Sequence, residues 1–308
     1  MSDEAPRCLA RPGGHACARP PVPGKAYCAG HLGPLEARSW SDVLAGWGGA
    51  AGRALRSRTG RGDPPPEGFD HDLVDALLPL ALPVYRWYWR VETDGIENIP
   101  TEGPALLASN HSGTLPVDGA MLKVAILKEH GRNPWLLAGD TVFKFPGLRE
   151  LTTAAGNVRA DRDATLELLK RGELVAVFPE GEKGLGKGWR QRYRPVRFGR
   201  GGFVELAILT GAPIIPVAVV GAEETFPMVG DMRFLARRLG LPYLPVVLNP
   251  IPFPSKWHIL FGEPIPTARY GPESIEDRQL VLELSELTRQ TVQAMLLDGL
   301  ARRRTAFF

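Results

Sequence analysis

The chain predicts an α/β fold, a mixed and mainly parallel sheet flanked by helices, preceded by a small zinc-binding N-terminal segment. Three observations carry this. Short apolar, β-rich runs alternate with helical patterns along residues 67–308, the order that builds a mainly parallel sheet. One run, residues 213–221 (PIIPVAVVG), is unbroken in apolar content and rich in β-branched residues, as a strand buried on both faces should be. All three cysteines crowd into the first 28 residues, apart from that pattern.

Composition sets the bounds. The 308 residues are 44% hydrophobic and 23% charged, ordinary for a soluble globular protein. A net charge of +3 is too small for a whole-molecule polyanion binder, so local basic clusters matter more than the total. The opening MSDEAPR is acidic with no apolar stretch behind it, so no secretory signal is expected. The run Ala76 to Tyr85 is about half of what a membrane-spanning helix needs, and Pro79 and Pro83 interrupt it. A cytoplasmic location follows.

Residues 1–33 hold the cysteine segment, CLARPGGHACARPPVPGKAYCAGH from Cys8 to His31. Cys8, Cys17, Cys28 and His31 offer four N/S ligands in a Gly/Pro-rich stretch too small for a core of its own, which suits tetrahedral Zn2+. The closing Cys-x-x-His fits a tight turn that aims two ligands at one ion. The spacing is similar to that of small Cys3His zinc modules, with one residue fewer in the first gap. An unstructured tail with incidental cysteines is the plainer alternative. An odd count in a reducing compartment argues against a disulfide framework. Residues 34–66, with Gly46-Trp47-Gly48-Gly49 and Pro64-Pro65-Pro66, read as a linker.

The main domain, residues 67–308, opens with Leu73 to Thr93, where Tyr85, Trp87, Tyr88 and Trp89 interleave with Arg86 and Arg90. Two readings stand: a segment at a membrane interface, or a helix packed on the core and kinked at its prolines. Ala105 to Ala108 is a strand that stops at Ser109-Asn110-His111. After a Gly/Thr/Pro loop, Asp118 stands near the N-cap of a helix. Pro134 to Ala138 is the next strand. Arg159 stands before a helix that starts at Asp161 or Asp163 and stops at Gly172 in a left-handed cap. Leu174 to Phe178 is a strand ending in Pro179-Glu180-Gly181-Glu182. A basic loop follows, with Lys183, Lys187, Arg190, Arg192, Arg194, Arg197 and Arg200 around Trp189 and Tyr193. A helix from Gly202 to Leu209, the strand 213–221 and a late strand from Trp257 to Phe261 come next. Leu280, Leu284, Leu287, Thr291 and Met295 mark one face of a C-terminal helix. Its end, Arg302-Arg303-Arg304, reads as solvated.

Three strand ends thus carry polar residues: His111 with Asp118, Arg159, and Glu180 with Gly181. Open α/β sheets place their chemistry there. Histidine and aspartate are the residue types that draw a proton from a hydroxyl. Singly, each has a structural reading. His111 can be satisfied by hydrogen bonds, Asp118 can cap a helix, Arg159 can pair with Asp161 or Asp163, and Glu180 can cap a turn. Their shared placement points to chemistry.

In that order, Asn110-His111 with Asp118, Gly156-Asn157-Val158-Arg159, Phe178-Pro179-Glu180-Gly181 and residues 213–217 (PIIPV) resemble the four blocks of PlsC-type glycerolipid, or lysophospholipid, acyltransferases. The resemblance covers residues 95–265. It implies a thioester donor, acyl-CoA or acyl carrier protein, and a glycerolipid hydroxyl as acceptor. It also implies that His111 is the general base and that Asp118 orients its imidazole, so the substrate's own hydroxyl attacks and no serine or cysteine nucleophile is needed. Arg159 would grip an acceptor phosphate, and Glu180 with Gly181 would shape that pocket. Asn110, Gly156, Phe178, Pro179, Lys183 and Pro216 are further substrate-binding positions by the same resemblance.

The sequence departs from the family pattern twice. Six residues separate His111 from Asp118 where the family has four, with Gly113 and Pro116 to turn the loop. After FPEG stand Glu182 and Lys183 rather than a small residue and arginine, which puts an acidic group where a phosphate would sit. A zwitterionic lysophospholipid or a neutral acylglycerol then suits the site, as in the related diacylglycerol acyltransferase-like branch.

The expected protein is a membrane-associated O-acyltransferase, peripheral on the inner face of the membrane. Its basic loop would meet anionic lipid or the phosphates of CoA rather than nucleic acid. Two other classes compete. A catalytically inactive lipid- or protein-binding scaffold is disfavoured by the intact His111, Asp118 and Glu180. A thioesterase-like hydrolase would use His111 to activate water.

Overall fold

The protein, in a computed structural model, is described over residues 71–112, 114–143, 148–238 and 243–307. The cysteine segment with Cys8, Cys17, Cys28 and His31, and the linker behind it, lie outside these residues. Helix α1 (His71–Pro83) runs past Pro79 into a π-helical turn at Val84–Tyr88. The elements that follow are β1 (Glu92–Asp94), β2 (Ala105–Ser109), α2 (Val117–Glu129), β3 (Pro134–Ala138), α3 (Asp140–Phe143), α4 (Leu148–Ala154), β4 (Asn157–Arg159), α5 (Arg162–Lys170) and β5 (Leu174–Val177). Then come α6 (Glu182–Leu185), α7 (Gly202–Thr210), β6 (Ile214–Val220), β7 (Met228–Asp231), α8 (Arg233–Arg238), β8 (Pro245–Val247), β9 (His258–Phe261) and α9 (Arg278–Arg302).

The main sheet has seven strands in the order β1-β9-β6-β2-β5-β3-β4. Strands β6, β2, β5, β3 and β4 run parallel, while β9 is antiparallel to β6 and carries β1 parallel on its outer side. This is the mixed, mainly parallel sheet expected. β7 and β8 form a separate two-stranded ribbon.

Every residue of β2 and β6 is buried, because helices cover both faces at the sheet's centre. Successive side chains alternate between two cores. Leu107 and its register partner Ile215 pack with Leu82, Leu122 and Ile126 on one face. Leu106 and its partner Ile214 pack with Val204, Ile208, Val292 and Leu296 on the other. Each such side chain taken from water stabilises the fold by about 1.5–3 kcal/mol.

Local signals set the helix ends. The Asp161 carboxylate accepts the N–H groups of Asp163 and Ala164, both at 3.0 Å, and starts α5. Gly172, at φ +81°, stops it. Of the two readings for the aromatic run, core packing accounts for Tyr85 and Trp89. Tyr85 is buried, with its hydroxyl donating to Glu129 at 2.7 Å, and Trp89 stacks on Trp257 with ring centroids 4.7 Å apart. Among the described residues no helix is long and apolar enough to cross a membrane.

The C-terminal helix corrects the expected stripe. Leu287 is 48% exposed. The buried face is Val281, Leu284, Ser285, Thr288, Val292, Leu296 and Gly299. Its polar members are satisfied within the core: Ser285 donates to the Phe198 carbonyl at 3.0 Å and Thr288 to that of Leu284 at 2.8 Å. Gly299 lets the helix approach the sheet, since a Cβ there would lie 2.9 Å from Leu260 Cδ1 and 3.0 Å from Val220 Cγ2. The helix end also differs from expectation. Arg302 and Arg304 are exposed as expected, but the Arg303 side chain is buried and paired with Glu224. We expect Gly299→Val to cost about 1–3 kcal/mol by overpacking. The exposed Leu297→Ala on the same helix should stay within about 0.5 kcal/mol in urea unfolding.

Candidate active site

The site begins where β2 runs out. Asn110 reaches across to β6, its Nδ2 donating to the Val219 carbonyl at 3.1 Å and its Oδ1 accepting the Val219 N–H at 2.8 Å. That pair pins the chain just before His111. The His111 Nδ1 lies 2.7 Å from Asp118 Oδ2. The wholly buried Asp118 carboxylate also accepts the N–H groups of Ser112 at 2.8 Å and Gly119 at 2.9 Å. Pro116 holds the N-cap position, so Asp118 sits in the first turn of α2, where peptide N–H groups favour negative charge. With Nδ1–H donated to Asp118, Nε2 keeps a lone pair for a substrate proton. The Phe178 ring stacks on the imidazole, centroids 4.3 Å apart.

The loop absorbs its two extra residues through Thr114. That residue takes a φ of +65°, a conformation that a β-branched residue adopts at a cost of about 1–3 kcal/mol. Two hydrogen bonds hold it. Its hydroxyl donates to Phe226 at 2.9 Å, and its carbonyl accepts from the Tyr243 hydroxyl at 2.8 Å.

Glu180 is buried and faces inward. Its Oε1 accepts the His111 N–H at 2.9 Å and its Oε2 the Val196 N–H at 2.7 Å. Lys187 Nζ stands 3.2 Å from Glu180 and 3.1 Å from Glu223, and Glu223 accepts the Tyr193 N–H at 2.6 Å. Burial works against the Lys187 charge, but Glu223 and Glu180 together outweigh it and hold the ammonium above the usual lysine range. Gly181 turns the chain at φ +58°, ψ −152°, a region open essentially to glycine alone.

Beside the dyad lies an apolar cavity of about 640 Å³. α1 contributes Leu77 and Leu78, α2 contributes Val124 and Leu127, and Leu136 comes from β3. His111 and Phe178 stand on its wall. Lys123 also lines it, and its ammonium donates to the Pro134 carbonyl at 2.8 Å. Burial pushes Lys123 down to about 7.

The remaining expected positions divide. Arg159 is exposed at the end of β4, paired with Asp140 at 3.1 Å, and its neighbours Asn157 and Ala160 rather than Arg159 itself line the cavity. Gly156 is a buried turn into β4, Pro216 is buried in β6 beside Ala108, and Pro179 is half-buried in the FPEG turn. Lys183 is exposed on α6, and Glu182 lines the cavity while accepting the Thr141 hydroxyl at 2.6 Å.

The basic loop is only partly a surface. Lys187 and Tyr193 face inward, the Tyr193 hydroxyl accepting the Gly221 N–H at 3.0 Å, while the arginines around them are exposed. Among the described residues no cluster of three His, Cys, Asp or Glu could hold a metal. Sequence reasoning missed Lys123, Glu223 and Tyr243. Lys123 lies inside α2 and Tyr243 ahead of β8, away from the strand ends that were followed, while Glu223 stands in the turn directly after β6 and was passed over there.

Three comparisons bear on this site. The family model described as Acyltransferase matches residues 90–220. An uncharacterized protein of Mycobacterium tuberculosis is 46% identical over 252 residues, spanning 78% of this chain and 70% of its own. The "DGAT1/2-independent enzyme synthesizing storage lipids" of Homo sapiens is 30% identical over 237 residues, 75% of this chain and 69% of its own. The crystal structure of the 1-acyl-sn-glycerophosphate (LPA) acyltransferase PlsC from Thermotoga maritima is similar with a TM-score of 0.53 at 19% identity, over 86% of this chain and 94% of that one. That likeness is one of fold.

Two measurements check the charges around the site. Lys187→Met leaves Glu180 and Glu223 buried without their cation and should cost about 3–5 kcal/mol in urea unfolding. Between the folded Lys123 value of about 7 and the unfolded value of about 10.4, the unfolded chain carries a proton here that the folded chain lacks. Stability should therefore rise with pH across that window, and Lys123→Met should flatten the rise.

Proposed function

The chain belongs to the acyltransferase family and is an acyltransferase, and from that premise we propose that it moves a fatty acyl group from acyl-CoA or acyl carrier protein to a hydroxyl of a glycerolipid. The observation that carries this reading is the buried His111–Asp118 pair beside an apolar cavity of a size suited to a lipid-sized ligand. His111 Nε2 takes the proton of the acceptor hydroxyl as its oxygen attacks the thioester carbonyl. The new C–O bond forms a tetrahedral intermediate. Its collapse breaks the C–S bond, and His111 returns the proton to the departing thiolate. Asp118 holds the tautomer and offsets the imidazolium charge, and base catalysis of this kind contributes roughly 10²–10⁴-fold.

The attacking oxygen belongs to the substrate. No serine or cysteine is among the described residues that line the cavity, and Ser109 and Ser112 beside the histidine are wholly buried. Glu182 on the cavity wall would repel a phosphate, which supports a neutral acylglycerol as acceptor. The name of the human relative, an enzyme synthesizing storage lipids, points the same way. The acceptor would be met at a membrane surface, with the protein peripheral on it.

The purified protein should be given acyl-CoA with a panel of lysophospholipids, monoacylglycerols and diacylglycerols, with products read by mass spectrometry. Neutral acylglycerols should be acylated fastest. His111→Ala should lose about 10²–10⁴-fold of the rate. Asp118→Asn should fall within about tenfold of that loss, because the 2.7 Å contact makes the two act as one unit. Full activity in His111→Ala would sink the mechanism. Release of free fatty acid without an acceptor, as fast as transfer with one, would make the protein a thioesterase.

A further inference from the structure

One excursion of the chain, described over residues 228–238 and 243–251, displays apolar side chains that neither the fold nor the proposed chemistry uses. Val229, Met232, Phe234, Val246, Leu248 and Ile251 are all exposed, Phe234 by 77% and Ile251 by 70%. We propose that this excursion, β7–α8–β8 with the residues that follow, is the surface by which the protein docks on a bilayer containing anionic lipid.

Backbone hydrogen bonds hold the described residues of this display. Met232 N–H donates to the Leu244 carbonyl at 2.9 Å, Leu244 N–H to Asp231 at 3.0 Å, and Leu248 N–H to the Pro227 carbonyl at 3.0 Å. At its root the buried Asn249 donates to the Thr225 carbonyl at 3.0 Å. Val246 lies in β8 and Leu248 just past its end, and the described residues leave both exposed. A soluble chain rarely presents such a patch without something that covers it.

Charge selects the partner. Residues 228–251 contain three arginines, Arg233, Arg237 and Arg238, against one acid, Asp231, a balance of 3 − 1 = +2. Asp231 pairs with Arg233 at 3.1 Å, which leaves Arg237 and Arg238 exposed beside the apolar side chains. The Arg238 guanidinium lies 5.5 Å from the centroid of the Phe234 ring. Apolar side chains beside exposed arginines match the two layers of a lipid surface, acyl boundary and anionic head groups.

The excursion is also continuous with the cavity. Tyr243, Leu244 and Pro245 are part of the cavity wall, and the Tyr243 hydroxyl fastens this segment to the Thr114 carbonyl in the loop between His111 and Asp118. A lipid leaving the bilayer at this surface would reach the cavity along one stretch of chain. The inference rests on the glycerolipid reading above, but vesicle binding tests it separately from acyl transfer.

The full chain should co-sediment with vesicles of phosphatidylcholine plus phosphatidylglycerol, and less with phosphatidylcholine alone or at raised salt. Phe234→Ser and Ile251→Ser should each lower the affinity by about tenfold or more, the effect of losing one large buried apolar side chain. Arg237→Gln and Arg238→Gln should each lower it roughly fivefold. Tryptophan emission in Phe234→Trp should be quenched by brominated lipids. In the serine variants, transfer to an acceptor dispersed in detergent should match the parent, while transfer to the same acceptor in vesicles falls. Unchanged vesicle binding in the Phe234→Ser, Ile251→Ser double variant overturns the proposal. So does a Phe234→Trp signal that brominated lipid leaves untouched, which would assign the patch to a protein partner. A chain that docks as described but acylates no lipid would uphold this surface and end the glycerolipid reading.

Discussion

The carboxylate of Glu180 is the group around which the His111 end of the sheet is organised. A carboxylate taken out of water is tolerated only when it is hydrogen-bonded and paired. Here it accepts the backbone N–H groups of His111 and Val196 and meets Lys187. The backbone of His111 is thus held from the β5 side, while Asp118 holds its ring from α2. Lys187 passes the connection to Glu223, and the next residue, Glu224, receives Arg303 at the end of α9. One set of buried charges therefore ties together β2, the FPEG turn, the basic loop, the end of β6 and the C-terminal helix. In a low-dielectric interior such a network is strong when complete and costly when one member is lost.

Much of this is legible in the sequence alone. Strands β2, β3, β5, β6 and β9 coincide with the apolar runs, because burial on both faces leaves no polar positions to disguise them. Asp161 and Gly172 marked α5 because a cap and a left-handed stop are local events. What failed was whatever depended on distant partners. The buried stripe of α9 was misplaced because Ser285, Thr288 and Gly299 enter the core through hydrogen bonds and close approach, which apolar periodicity does not count. Lys187 and Tyr193 read as surface because arginines surround them, although carboxylates far along the chain draw them inward. His111 and Asp118 stood out at a strand end. Their contact was expected from the family resemblance alone, since the six-residue gap by itself did not indicate how the loop would turn, which it does with Thr114 in a left-handed conformation.

Helix α2 serves two purposes at once. Its first turn presents Asp118 to the imidazole, and further along the same helix Ala120, Lys123, Val124 and Leu127 wall the cavity. A shift of α2 would therefore move the orienting carboxylate and reshape the cavity together. On the proposed mechanism, the fit of the acyl group and the orientation of the base would be mechanically linked. The buried Lys123, held on the Pro134 carbonyl, fixes α2 against β3 at the middle of that wall.

The outer strands of the sheet carry a consequence of their own. β1 and β4 close its two sides with three residues each, and they bear Glu92, Asp94 and Arg159. A short, charged margin is a poor template for another chain to add to by backbone pairing. Arg159 thereby has a use that needs no phosphate at all. A charged side chain on an edge strand works against side-by-side pairing of so apolar a sheet.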